Sequence, residues 1–222
     1  MARNFALNQD AAREANSGGK QIRATGKYRG TITAFYDKSD KGAESVNLMF
    51  ESDQGQTCGP LSIYTHNKDG KELPGFKLVN AIMVCVRARS LAAVPGNVEL
   101  YDFDSNSVQT KKKEVYPELS GKKIGLVLQQ EEMTDKDGNL KLDNQGNPKY
   151  RMTVSAPFDY QSELMAVEIL DKRAAPEQLG KVLEYIMANP VRFAKKKAGQ
   201  NSNNQPPPNF EGFNNDDIPG WD

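Results

Sequence analysis

Between residues 23 and 36 the apolar positions alternate. Tyr28, Ile32, Ala34 and Tyr36 fall on one face, and Lys27, Arg29, Thr31, Thr33 and Phe35 on the other. A period of two predicts a half-buried strand. A charged loop over residues 37–43 leads to a second alternating stretch at 44–51, with Val46, Leu48 and Phe50 inward. Ser52-Asp53-Gln54-Gly55 then predicts a turn. A third strand is expected over 56–65, with Leu61 and Ile63 inward and Ser62 and Tyr64 outward. Pro60 marks its start as an edge or a bulge, because proline cannot donate to a ladder. The period then changes. Phe76, Leu78, Val79, Ile82, Met83 and Val86 recur at three and four, which predicts an amphipathic helix over 74–89. Pro74 suits its first turn, where the missing N–H costs little.

Residues 92–120 form a long connection holding a short strand at 98–103 and the run Lys111-Lys112-Lys113. Strand alternation returns at 122–131, with Ile124, Leu126 and Leu128 inward, and at 149–158, where Tyr150, Met152 and Val154 alternate with Arg151, Thr153 and Ser155. A polar hairpin loop over 134–148 joins the two. Residues 162–171 are apolar without a clear period. A helix is expected over 175–188 from the stripe Leu179, Val182, Leu183 and Ile186, interrupted by Asn189-Pro190. Three strands, a helix and two strands is the order of the OB-fold, a five-stranded, partly open barrel with a helix between its third and fourth strands. The expected architecture is therefore mainly β with helices. It comprises a polar arm at 1–20 with one weak helical stretch near 10–15, a barrel over 21–160, a helical extension over 161–197, and a disordered acidic tail over 198–222.

Composition refines this. Hydrophobic residues make up 37% of 222, with a mean hydropathy of −0.68, so part of the chain is not expected to pack. No apolar run reaches the roughly 20 residues of a membrane span. The N-terminal stretch is too polar for a secretory signal. Cys58 and Cys85 make no disulfide framework. An intracellular protein with reduced thiols is expected. The zero net charge conceals a division. The tail from Ala198 onward has no Lys or Arg and four acids, Glu211, Asp216, Asp217 and Asp222, leaving a body with 29 basic and 25 acidic residues. The body is suited to meet an anion.

The pattern offers little catalytic chemistry. His66 is the only histidine and sits in a polar loop, so a Ser-His-Asp triad or a His-rich metal site has no support. No phosphate-cradling glycine motif is present. Asp135-Lys136-Asp137-Gly138 has its glycine where a turn wants it, and Leu140 stands at the calcium-loop glycine position. No enzyme, cofactor or metal is expected. Binding of single-stranded nucleic acid needs only cations along a phosphate track and rings on which bases stack. The strands supply Arg23, Lys27, Arg29, Phe35, Tyr64, Lys122, Lys123 and Arg151 as candidates.

The C-terminus carries a sharper signal. Residues 199–209 (GQNSNNQPPPN) are a low-complexity linker. The tip that follows holds Phe210, Phe213, Asp216, Asp217, Ile218, Pro219 and Trp221. Apolar side chains on a polar arm suit a docking peptide, its acids meeting basic groups and its rings entering a pocket. The same acids could contend with nucleic acid for the protein's own cationic groove.

With Asp216-Asp217-Ile218-Pro219 at its tip, the chain resembles single-stranded DNA-binding proteins; Gly220-Trp221-Asp222 departs from the terminal Phe of the bacterial members. The body is similar to bacteriophage-encoded OB-fold members through Gly26-Lys27-Tyr28-Arg29-Gly30-Thr31-Ile32, Thr65-His66-Asn67-Lys68-Asp69-Gly70, Leu78-Val79-Asn80-Ala81-Ile82-Met83 and Gly121-Lys122-Lys123-Ile124-Gly125-Leu126. The resemblance implies coating and protection of single-stranded DNA during phage DNA replication, recombination or repair in the cytoplasm of a bacterial host. It further implies replication or recombination partners for the tail and leaves homo-oligomerisation open. An OB-fold protein–protein adaptor and an RNA binder are the alternatives.

Overall fold

The computed structural model describes residues 21–102, 105, 107–135 and 137–193. Among the described residues eight strands and three helices follow one another: β1 (Gly26–Lys38), β2 (Glu44–Ser52), β3 (Thr57–His66), α1 (Pro74–Val86), β4 (Val94–Asp102), β5 (Ser107–Val115), β6 (Lys122–Glu132), β7 (Tyr150–Phe158), α2 (Ala166–Leu170), α3 (Gln178–Ala188) and β8 (Val191–Arg192). The architecture is a mainly β, open sheet with few helices. Its ladders are antiparallel except where β8 runs parallel to β6.

The long first strand organises the sheet. One edge of β1 pairs with β2 from Gly30 to Lys38. The other edge is divided, pairing with β6 from Gly26 to Ile32 and with β5 at Phe35 and Tyr36. Residues 116–121 bridge the gap, with the Tyr116 N–H donating to the Ala34 carbonyl and the Gly121 N–H to that of Ile32. The main path is thus β3-β2-β1-β6-β7, and the β4–β5 hairpin hangs from the end of β1. The two terminal strands of the path, β3 and β7, lie near each other without a ladder, and α1 packs across both.

Alternation fills the interior. Ile32, Ala34, Leu48, Phe50, Leu61, Ile63, Ile124, Leu126 and Leu128 are buried on the inner face, where Val79, Ile82 and Cys85 of α1 meet them. Gly75 lets the first turn of α1 approach β3, because a Cβ there would overlap the Tyr64 carbonyl. The helix ends earlier than its periodicity predicts. Arg87 adopts φ 62°, ψ 31° as its cap, and the Arg87 N–H returns to the Met83 and Val84 carbonyls.

One turn recurs five times. Ser39, Ser52, Asn67, Asp135 and Asp143 each accept, through a side-chain oxygen, the N–H four residues on. The glycines three residues on, Gly42, Gly55, Gly70, Gly138 and Gly146, all have φ between 73° and 89°. Such backbone is open to glycine at no steric cost. Two of these turns stack in the arm between β6 and β7, held by bridges Thr134–Leu140 and Leu142–Pro148.

A second apolar layer lies on the opposite, outer face of the sheet. Between Leu128↔Val154 and Val127↔Ala156 the β6–β7 register shifts, leaving Ser155 as the extra residue of a bulge. Beyond it Ala156 and Phe158 join Val127 and pack on Met165, Leu179, Val182 and Ile186. Gly125, opposite Phe158, is required there, since a Cβ would overlap the Phe158 ring. Buried Glu168 ties the two short helices together. Its carboxylate accepts the N–H groups of Met165 (2.8 Å), Glu177 (2.7 Å) and Gln178 (2.9 Å). Burial alone would raise its pKa, but those bonds outweigh the burial and hold the carboxyl below its ordinary range.

Several expectations are corrected. The sheet has eight strands rather than five. Between α1 and β6 stands a full hairpin where a connection with one short strand was expected, and the lysine run is β5 itself. The stretch 162–171 contains α2, and the helix expected from residue 175 starts at Gln178. The segments 1–20 and 194–222, which hold the polar arm and the acidic tail, lie outside the described residues. Among the described residues no helix is long and apolar enough to cross a membrane.

Candidate nucleic-acid interface

Where β3 and β7 fail to form a ladder, a groove of about 1080 Å³ opens between them. β3 contributes Pro60, Ser62 and Tyr64 as one wall, and Tyr150, Arg151, Thr153 and Ser155 of β7 form the other. Arg23 enters from the segment before β1, Lys77 from α1 and Arg192 from β8. Four cations thus line the groove against one acid, Glu131. An excess of one sign over apolar walls focuses the potential and draws in an opposite charge.

The details follow from strand alternation. Tyr64 lies on the outward register of β3 and is 44% exposed; Tyr150, the first residue of β7, is 43% exposed. Arg151 pairs with Glu131 at 2.9 Å across the β6–β7 ladder. The Arg23 guanidinium donates to Gln21 Oε1, and Gln130 Nε2 donates to the Arg23 carbonyl at 2.8 Å, which fixes this segment on the end of β6. Cys58 also lines the groove. Burial pushes its thiol up to about 11, so it stays protonated at neutral pH. Cys85, in the core, is raised to about 12 by burial first and by Asp159 second.

Of the eight residues nominated from the strands, Arg23, Tyr64 and Arg151 share this groove. Lys27, Arg29 and Lys123 lie elsewhere, on the outer face of β1 and β6, around Tyr160 and Glu163. Lys122 is exposed in the opposite register from Lys123, as neighbouring strand residues must be. Phe35 is a correction: it is 2% exposed and no base could stack on it. It occupies the polar register of β1, but β5 pairs with β1 at this point and Lys113 Nζ lies 5.9 Å from the ring. The tail residues Phe213, Asp216, Asp217, Ile218, Pro219 and Trp221 lie outside the described residues.

Sequence reasoning missed Tyr150, Lys77 and Arg192 in the groove. Tyr150 shares the apolar register of β7 and so resembled core, but it stands beyond the end of the packed interior. Nothing in the sequence around Lys77 or Arg192 marked either. Compared with known proteins, the chain matches no family model and no curated protein.

Proposed function

We propose that this protein binds single-stranded DNA without sequence preference in the groove between β3 and β7. The observation that carries the reading is that two exposed rings, Tyr64 and Tyr150, line one open groove together with Arg23, Lys77, Arg151 and Arg192. Rings accept any base by stacking, and cations neutralise successive phosphates. The fold reading is an OB-type barrel. The path β3-β2-β1-β6-β7 with α1 after its third strand has the expected order, with the β4–β5 hairpin as an insertion. An unclosed seam between the terminal strands agrees with a partly open barrel. The acidic tip is proposed to recruit replication, recombination or repair proteins and to contend with DNA for the channel. The setting would be phage DNA metabolism in a bacterial cell.

Fluorescence anisotropy with labelled oligonucleotides of one length and several sequences tests the reading. Affinities that agree across sequences and fall as salt rises are expected. No binding even at low salt would reject it. Replacing Arg151 by Gln should flatten the slope of log K against log salt by about 0.7, the contribution of one phosphate contact on a single strand.

A further inference from the structure

A second cationic cluster lies outside this groove. On the outer face of β1, Lys27 and Arg29 stand two residues apart and both reach the same oxygen, Oε1 of Glu163; the Lys27 distance is 2.8 Å. Lys123, diagonal to Arg29 across the β1–β6 ladder, places its ammonium 4.9 Å from the centre of the Tyr160 ring. The Arg29 guanidinium lies 5.9 Å from the same ring. Glu163 and Tyr160 belong to the loop after β7. That loop is held by the Tyr160 hydroxyl on Asp53 Oδ2 (2.8 Å) and by Arg87 on Asp159 (3.5 Å).

Two features mark the Glu163 carboxylate as a plug. Lys27, Arg29 and Lys123 gather around the loop that carries Tyr160 and Glu163, and Glu163 is the carboxylate that both Lys27 and Arg29 reach, with Asp53 further off. In addition, Glu163 holds φ 61°, a left-handed conformation uncommon for a residue with a side chain. The turn closed on Asp159 sets this backbone, the Glu163 N–H donating to the Asp159 carbonyl (3.0 Å) and the Asp159 N–H to that of Leu164 (2.8 Å), and it places the carboxylate within reach of Lys27 and Arg29. Its side chain is 24% exposed, so an ion from solution can compete. A phosphate oxygen has the same charge sign and takes the same lysine and arginine donors.

We propose that Lys27, Arg29 and Lys123 form a phosphate-binding site that Glu163 occupies in cis, so that a polyphosphate chain engages this face only by displacing that carboxylate. As a control on DNA binding the device rests on the function proposed above; as an anion site it stands without it.

Calorimetric titration of the full chain with inorganic tripolyphosphate at low salt provides the test, using Glu163→Gln and Glu163→Gly. The glycine variant relieves the left-handed backbone, so a loss of fold in the first variant would not be repeated in the second. Both should bind at least tenfold more tightly than the parent, and adding Lys27→Gln with Arg29→Gln should abolish the gain. Affinities within twofold of the parent, or a gain that survives without Lys27 and Arg29, would overturn the proposal. A thymidine oligonucleotide forms the second arm. There Glu163→Gln should bind more tightly, with a salt slope steeper by about 1.4 for two added phosphate contacts. If no variant binds the oligonucleotide while the tripolyphosphate gain holds, the anion site stands and the DNA-binding function fails. Equal binding by parent and variant in both arms leaves the DNA-binding function standing and removes the plug.

Discussion

Glu168 gives the most direct test of how the C-terminal helices are held against the sheet. The residue is fully buried, and its two oxygens serve three backbone N–H groups, one at the start of α2 and two at the start of α3. Replacing it by Ala leaves all three donors without that acceptor. Each unpaired buried donor costs about 1–3 kcal/mol, and water entering the vacated space recovers part of that. The expected loss is therefore about 4 kcal/mol, a large share of the roughly 5–15 kcal/mol that holds a domain together. Glu168→Gln keeps one carbonyl oxygen for Glu177 and Gln178 but sets an NH₂ group against the Met165 N–H, for a loss of about 2 kcal/mol. Urea unfolding followed by circular dichroism measures both. The pH dependence supplies an independent check. Because the folded carboxyl is held below its unfolded value of about 4.3, its stabilisation is complete above that pH and disappears as pH falls through the folded value. The gap between parent and Glu168→Gln should therefore narrow on acidification. A Glu168→Ala protein within 1 kcal/mol of the parent at about pH 7 would refute the shared-cap reasoning.

Other outcomes test other parts of the structure. Tyr64→Ala and Tyr150→Ala should each weaken oligonucleotide binding by about 5- to 150-fold, from about 1–3 kcal/mol per stacked base, to the same extent for every sequence in the anisotropy assay. Gly125→Ala should destabilise by about 2 kcal/mol by displacing the Phe158 ring. In Gly125→Ala combined with Phe158→Leu the loss should be less than the sum of the two single variants, read from thermal melts. Cys58 and Cys85, both buried and with thiols raised to about 11 and about 12, should resist a disulfide-exchange reagent at about pH 8 and react once urea unfolds the chain.

The legible parts of the fold share one property: they rest on contacts close in sequence. The inward faces of β1, β2, β3 and β6 follow from alternation, and the stripe on α1 from its helical period. The turns at Ser52 and Asp135 combine a side-chain acceptor with a left-handed glycine three residues later, so local chemistry suffices for them. Of the groove, Arg23, Tyr64 and Arg151 were legible because each stands in or beside an outward register.

What the sequence could not decide depends on which strand becomes whose neighbour. Phe35 lies in the polar register of β1 and is buried because β5 arrives beside it. The lysine run reads as a solvated stretch until Asp102 and Asp37 meet Lys111 and Lys113 across the hairpin and the β1 edge. The bulge at Ser155 turns Ala156 and Phe158 outward, which no alternation count reveals. Lys27 and Arg29 look like free cations in the sequence, yet a glutamate more than 130 residues away takes both. Periodicity records only which side of its own strand a residue faces. Burial, ion pairing and the open seam are set by the partner strands, and those are chosen only when distant segments close on one core.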